Sequence, residues 1–172
     1  MKYITTLFLL ISSFSYSQKT VKYDKCKFQK DEYDKFTKES VKQTKGKAIF
    51  MNLSRSVVVQ GFKVDNRKYL EITVIDNHLF GFKEGGSFML MLDDEEVVDL
   101  KFENSIVADY INAGSFDIWK ARVLFSLNEE IFNKLVKSNV YEFRYYTSDG
   151  YVEKKIKEKY INNIASVLKC IE

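Results

Sequence analysis

The sequence predicts a mainly β to α+β chain. We expect an antiparallel sheet, curved or folded into two layers, with an internal helix and a C-terminal amphipathic helix. Three observations carry this. KAIFMNL, RSVVVQGFKV and KYLEITVID follow one another, rich in β-branched and aromatic residues and parted by polar breaks at Asn52 to Ser54 and Asp65-Asn66-Arg67. Helical spacing of apolar residues appears in only two places, after Ser126 and toward the C-terminus. Strands and helices do not alternate as a doubly wound α/β fold requires.

Taken in order, residues 22–45 mix lysines and acids around Tyr23, Phe28, Tyr33 and Phe36. They read as an extended lead-in, a short turn or helix, and a strand edge. In KYLEITVID, Leu70, Ile72 and Val74 share one face and Tyr69, Glu71, Thr73 and Ile75 the other. One core face and one partly wet face suit an antiparallel sheet. Asp76-Asn77-His78 turns the chain, Phe80 and Phe82 follow, and Gly85-Gly86 turns it again. SFMLML sets Phe88, Leu90 and Leu92 against Met89 and Met91. The acidic quartet Asp93 to Glu96 is a turn, after which Val98, Leu100 and Phe102 alternate, and residues 106–113 add an edge strand. Trp119, Ala121, Val123 and Phe125 alternate in IWKARVLF.

Ser126-Leu127-Asn128-Glu129 then offers a capping box, with Ser126 as N-cap and Glu129 reaching back. Leu127, Ile131 and Leu135, beside Phe132 and Val136, extend a helix to Lys137. This helix is either a crossover within the sheet or a cap across one end. NVYEFRYYTSDGYVEKKI is a hairpin with Asp149-Gly150 at its tip. Tyr160, Ile164 and Leu168, with Ile161, Val167 and Ile171, mark the terminal helix.

The N-terminus sets the compartment. Lys2 precedes an apolar run from Ile4 to Ile11, then Ser12-Ser13-Phe14-Ser15-Tyr16-Ser17. Small residues at Ser15 and Ser17 fit a signal-peptidase pocket, so residues 1–17 read as a cleaved signal peptide and 18–172 as one β-rich domain. An uncleaved anchor and a buried N-terminal element are the rival readings. A span needs about 20 apolar residues, and this run is shorter. The expected location is periplasmic or extracellular, with no transmembrane segment left after cleavage. In an oxidising compartment Cys26 and Cys170, near opposite ends of the mature chain, read as one disulfide. Two free buried thiols or an intermolecular bridge are the alternatives.

The N-terminal segment, with its lysine start, Phe/Leu/Ser core and Gln18 after the cut, resembles secretory signals of Bacteroidota-type bacteria. The layout of the rest resembles the small, exported, uncharacterised β-rich proteins of such bacteria. That resemblance implies export and brings no functional motif.

Charge and motifs narrow the chemistry. The net charge is +3, from 27 basic and 24 acidic residues. Polyanion binding asks for clustered positive charge rather than a slight excess, so no nucleic-acid partner is expected. No CxxC, GxSxG, GxGxxG, P-loop or EF-hand spacing occurs. Neither a metal nor a cofactor is called for, although Asp93 to Glu96 could hold calcium weakly. Asp76 and His78, two residues apart, are the candidate catalytic pair, since a carboxylate can orient a general base. Against that, a lone histidine in a turn needs no such role. Adjacent acids such as Glu95-Glu96 and Glu129-Glu130 serve a glycosidase only if the fold opposes two of them across a cleft. In YEFRYY, Tyr141, Arg144 and Tyr146 are the candidate binding residues, a basic group among aromatics that can stack on a ligand. Alternatively Tyr141, Phe143 and Tyr145 form the core face, with only Arg144 and Tyr146 outside.

The reading that best unites these features is a non-catalytic secreted protein that binds a protein, a peptide or an envelope glycan. The others are a small secreted hydrolase with a dispersed site near His78, and an envelope structural or accessory subunit. An exposed apolar edge beside Met89 and Met91 would favour the last.

Overall fold

A computed structural model describes residues 25–112, 114 and 117–172. The signal-peptide reading of residues 1–17 lies outside the described residues. The chain is mainly β, as expected, and every strand pairing in it is antiparallel. Its strands are β1 (Phe28–Tyr33), β2 (Ser40–Thr44), β3 (Lys47–Met51), β4 (Arg55–Val64), β5 (Arg67–Asp76), β6 (Gly81–Phe82) and β7 (Ser87–Leu92). After these come β8 (Val97–Lys101), β9 (Ile106–Val107), β10 (Asp109–Asn112), β11 (Asp117–Leu127), β12 (Val140–Thr147) and β13 (Gly150–Lys155). The helices are α1 (Glu129–Lys137) and α2 (Asn163–Lys169), the latter preceded by a 3-10 turn at Glu158–Tyr160.

Two sheets face each other. The larger is a curled, seven-stranded half-barrel in the order β1-β2-β4-β5-β11-β10, with β3 sharing the edge of β4 that β2 also uses. The smaller runs β13-β12-β7-β8. Strands β6 and β9 form a short ribbon beside them. The central hairpin β4–β5 turns at Asp65-Asn66. Asp65 takes the left-handed φ of 51° that its short polar side chain tolerates.

The concave face of the large sheet carries Val57 and Val59 from β4, Leu70, Ile72 and Val74 from β5, and Ala121, Val123 and Phe125 from β11. Opposite them the small sheet presents Phe88 and Leu90, Val98 and Leu100, and Phe143 and Tyr145. Aromatic rings join the layers. Phe88 stacks on Tyr145 at 5.4 Å between centroids and meets Phe125 at 6.3 Å, while Phe82 stacks on Phe102 at 4.6 Å. Offset and edge-on pairs at such spacings add to the gain from burial alone.

The helices close one end of the half-barrel. The connection β11–α1–β12 passes from the large sheet to the small one, so α1 caps the end and is not a crossover within one sheet. Asn128, not Ser126, is its N-cap, with Oδ1 accepting the Ile131 N–H at 2.8 Å. Ser126 and Leu127 are instead drawn into β11, paired with Tyr69 and Lys68. Glu129 and Glu130 in the first turn and Lys134 and Lys137 in the last complement the helix dipole. The terminal helix is shorter than its apolar spacing predicts, because Tyr160 belongs to the 3-10 turn. Ile164 to Leu168 are all buried in α2, which packs on α1, β3 and β4. Its backbone lies so close to Gly61 that a Cβ there would stand 2.5 Å from the Val167 carbonyl oxygen. Cys26 and Cys170 are disulfide-bonded, tying the end of α2 to the start of β1. No helix among the described residues is long and apolar enough to cross a membrane.

Candidate functional site

The ten-residue strands β4 and β5 run from the helix-capped end to an open end, where their apolar pattern stops. Arg55 opens β4 and Asp76 closes β5, and the hairpin register places them directly opposite each other on the concave face. They form a close ion pair through Arg55 Nε and Asp76 Oδ2, with the Asp76 side chain almost wholly buried. Trp119 of β11 pairs with Asp76 from the other side, and Tyr110 of β10 pairs with Trp119, their rings 5.3 Å apart. The row across four strands thus reads cation, anion, indole, phenol.

A cleft of about 290 Å3 opens there between the sheets, lined by Arg55, Asp76, His78, Tyr145, Asp149 and Tyr151 among others. His78 is exposed and lines this cleft with Asp76, the two candidate catalytic residues of the sequence. Asp76 does not hold the imidazole in any bond seen here. Its Oδ1 accepts the backbone N–H of His78 at 3.2 Å, and its Oδ2 is engaged by Arg55. The carboxylate therefore shapes the turn that carries the histidine. Burial pushes the Tyr145 phenol up to about 12, with Arg55 pulling it down and Asp76 pushing it further up. It remains a neutral hydrogen-bonding group at ordinary pH.

The outer face of the small sheet holds the second candidate set. Cross-strand register aligns Val97, Met91, Glu142 and Lys155 in one row and Asp99, Met89, Arg144 and Glu153 in the next. Tyr146 and Tyr151 pair in a third row, with ring centroids 6.1 Å apart. A groove of about 200 Å3 is floored by Met89, Met91 and Val97 and walled by Glu142, Arg144 and Glu153. Arg144 donates to Glu153 Oε2 from Nε at 2.6 Å and lies 5.0 Å from the Tyr151 ring centre. The bond to Glu153 raises the Arg144 pKa further, so this guanidinium is a permanent cation.

Arg144 and Tyr146 therefore share one surface, as the sequence suggests, and Tyr151 joins them. Tyr141 does not follow the alternation. A register shift between Val140 and Glu142 inserts an extra residue, so Val140 is buried and Tyr141 is exposed rather than in the core. Phe143 and Tyr145 do face the core. The hairpin loop is Ser148-Asp149, with Gly150 already paired to Thr147 and holding a φ of 128°. Tyr151 escaped the sequence reading because it follows the turn. Alternation counted back across that turn from Tyr146 would have found it.

Three members of the acidic quartet are engaged within the fold. Asp93 Oδ2 accepts from Asn139, Asp94 Oδ1 accepts the Glu96 N–H, and Glu96 pairs with Lys134. No cluster of three or more His, Cys, Asp or Glu side chains suited to a metal ion occurs among the described residues. No family model, curated protein or solved structure matches the chain significantly.

Proposed function

We propose that the chain is a non-catalytic, exported binding protein, and that the outer face of the small sheet receives a segment of a partner protein. One observation carries this reading: an apolar floor left in water. Met91 is 39% exposed and Val97 48%, and Tyr151, at 62%, extends the surface past Tyr146. Met91 and Val97 are cross-strand neighbours, and an apolar cluster rimmed by charged side chains on a sheet face suits an interaction surface. Its composition fits a protein partner. Methionine adapts to varied shapes, and Tyr, Met and Arg are the side chains enriched at interfaces. The accessory-subunit reading gains less, because Met89 and Met91 stand on an inner strand of the small sheet and not on an exposed edge. The hydrolase reading has less support, because Asp76 is committed to Arg55 and to a backbone N–H. Export rests on the signal-like N-terminus and is compatible with the disulfide.

Selection of a random peptide library on the disulfide-bonded protein tests the surface. Enriched peptides should lose at least about tenfold in affinity on Met91→Glu and on Tyr151→Ala, the loss expected when an interface anchor is removed. They should bind normally to Leu124→Glu, on the convex face of the large sheet. Peptides indifferent to both variants would place the binding surface elsewhere.

A further inference from the structure

The cleft at the open end holds polar groups that the fold itself leaves unbonded. Tyr145 is 1% exposed, and its ring is wedged among Phe82, Phe88 and Phe143, with centroids 5.8, 5.4 and 6.1 Å away. Its hydroxyl end lies beside the Arg55–Asp76 pair, since both charges act on its ionisation. That hydroxyl makes no hydrogen bond to any described residue, and it is open to the cleft rather than sealed in the core. Hydroxyls of buried tyrosines nearly always find a partner. Arg55 is similarly placed. Its Nε is engaged by Asp76, while Nη1 and Nη2 make no hydrogen bond to a described residue. A guanidinium carries five N–H donors, so most of its capacity is left over. Asp149 at the hairpin tip and His78 after β5 are exposed and complete the polar lining, their side chains bonded to no described residue.

These groups stand on opposite walls. Arg55 and Asp76 end strands of the large sheet, and Tyr145 and Asp149 belong to the β12–β13 hairpin of the small one. A ligand in this cleft must therefore offer acceptors on some sides and donors on others. Charge narrows the choice. One cation, Arg55, faces two carboxylates, Asp76 and Asp149, and His78 is neutral at pH 7. That leaves no positive excess to hold an anion, and Arg55 repels a cation. A hydroxyl group both donates and accepts. A sugar ring carries hydroxyls around its whole edge, and Leu79 and Phe80 offer apolar surface to its C–H faces. An amide offers its donors and acceptor at one point only. The cleft volume of about 290 Å3 falls at the small end of ligand sites, near about 300 Å3. We propose that the cleft binds one neutral sugar residue, with Arg55 and Tyr145 donating to its hydroxyls and Asp149 and His78 accepting from them. The lining shares no residue with the groove on the small sheet, so this site stands whether or not that groove receives a protein.

Saturation-transfer NMR on the disulfide-bonded protein tests this with glucose, galactose, mannose, N-acetylglucosamine and their β-1,4-linked disaccharides. At least one should bind in the millimolar range or tighter. Tyr145→Phe removes one oxygen and keeps the ring. It should weaken that binding about tenfold, the worth of one hydrogen bond left unmade. Tyr33→Phe, the same change at an exposed position on β1, should leave it unaltered. His78→Ala and Asp149→Ala change exposed side chains and should each weaken it several-fold, so the outcome does not hang on whether Tyr145→Phe folds. A neutral ligand gains nothing from long-range attraction. Its affinity should hold as ionic strength rises from about 0.01 to 1 M, while the screening length shrinks from about 30 to 3 Å. No bound sugar, wild-type affinity in all three cleft variants, or a loss of about tenfold in high salt would overturn the proposal. Binding of acetate or N-acetylglycinamide in preference to every sugar would overturn it too, in favour of a carboxylate or an amide ligand.

Discussion

The two ends of the half-barrel are built on the same strands and obey different rules. At the capped end, α2 lies on β4, with the Val167 backbone and Ile171 against Gly61, and the disulfide fastens the last turn. At the open end, β4 and β5 finish in Arg55 and Asp76, facing a cleft rather than a helix. A strand can present its concave face to apolar side chains at one end and to charge at the other, provided each buried charge has a close partner. The capped end fastens α2 to the large sheet, and the open end carries a charged pair beside a cleft.

The largest expected effect comes from cutting the fastening. Cys26 and Cys170 are 144 residues apart. Releasing so long a loop raises unfolded-chain entropy by an amount worth about 5 kcal/mol in the loop-closure model. Cys26→Ser/Cys170→Ser should therefore lower the urea midpoint steeply at unchanged pH and salt. A loss below about 1 kcal/mol would mean that α2 docks without its tether, and the contrast between the ends would weaken. Next is Gly61→Ala. The added methyl would meet the Val167 backbone, which cannot rotate away, so α2 must lift. Overpacking of this kind costs about 3 kcal/mol. A neutral result in denaturant unfolding would show the helix to be more loosely seated than its geometry implies.

At the open end, Asp76→Ala strands the largely buried Arg55 cation and removes the acceptor of the His78 N–H, at a cost of about 2 kcal/mol. Replacing both charges, as Arg55→Met/Asp76→Leu, should recover most of that loss, because the desolvation of both ions disappears together. A double variant as unstable as the single one would show that the pair contributes net stability, and the open end would then be structural rather than spared for a ligand.

How much of this was legible can be argued from single residues. Leu70, Val123 and Phe125 declare their face by alternation, and two cysteines near opposite ends suggest their bond once export is assumed. Ser126 misleads because strand pairing with Tyr69 claims it, which leaves Asn128, two residues on, to cap the helix. Strict alternation would put Tyr141 in the core, and a bulge, which leaves no mark in a run of aromatics, exposes it instead. The Arg55–Asp76 pair was readable in principle. A two-residue turn at Asp65-Asn66 pairs Val64 with Arg67, and nine steps outward it pairs Arg55 with Asp76. Proximity in sequence suggested His78 instead.

The convex face supplies the smallest and most exacting test of the rule that buried charge needs a close partner. Glu71 is 7% exposed there, between strands β4 and β11, and its Oε1 has no hydrogen bond. Arg122 Nε lies 3.4 Å away, close enough to attract and too poorly aligned to bond. Burial pushes the Glu71 carboxyl above its ordinary 4.5, and Arg122 and Lys120 pull it only partly back. The folded protein therefore holds a proton that the unfolded chain has released between 4.5 and the raised folded value. Where the native state binds more protons, stability falls as pH rises. Glu71 should thus erode stability through that window and leave a constant deficit above it. Glu71→Gln has no such proton to lose. It should be modestly more stable than wild type at pH 7, with the advantage shrinking as pH falls through the window toward 4 and below. Paired thermal melts across pH would measure this difference directly, since other carboxylates titrate alike in both proteins. A gap that stays constant with pH would mean that Arg122 already compensates the charge, and that a loose partner serves as well as the close one beside Asp76.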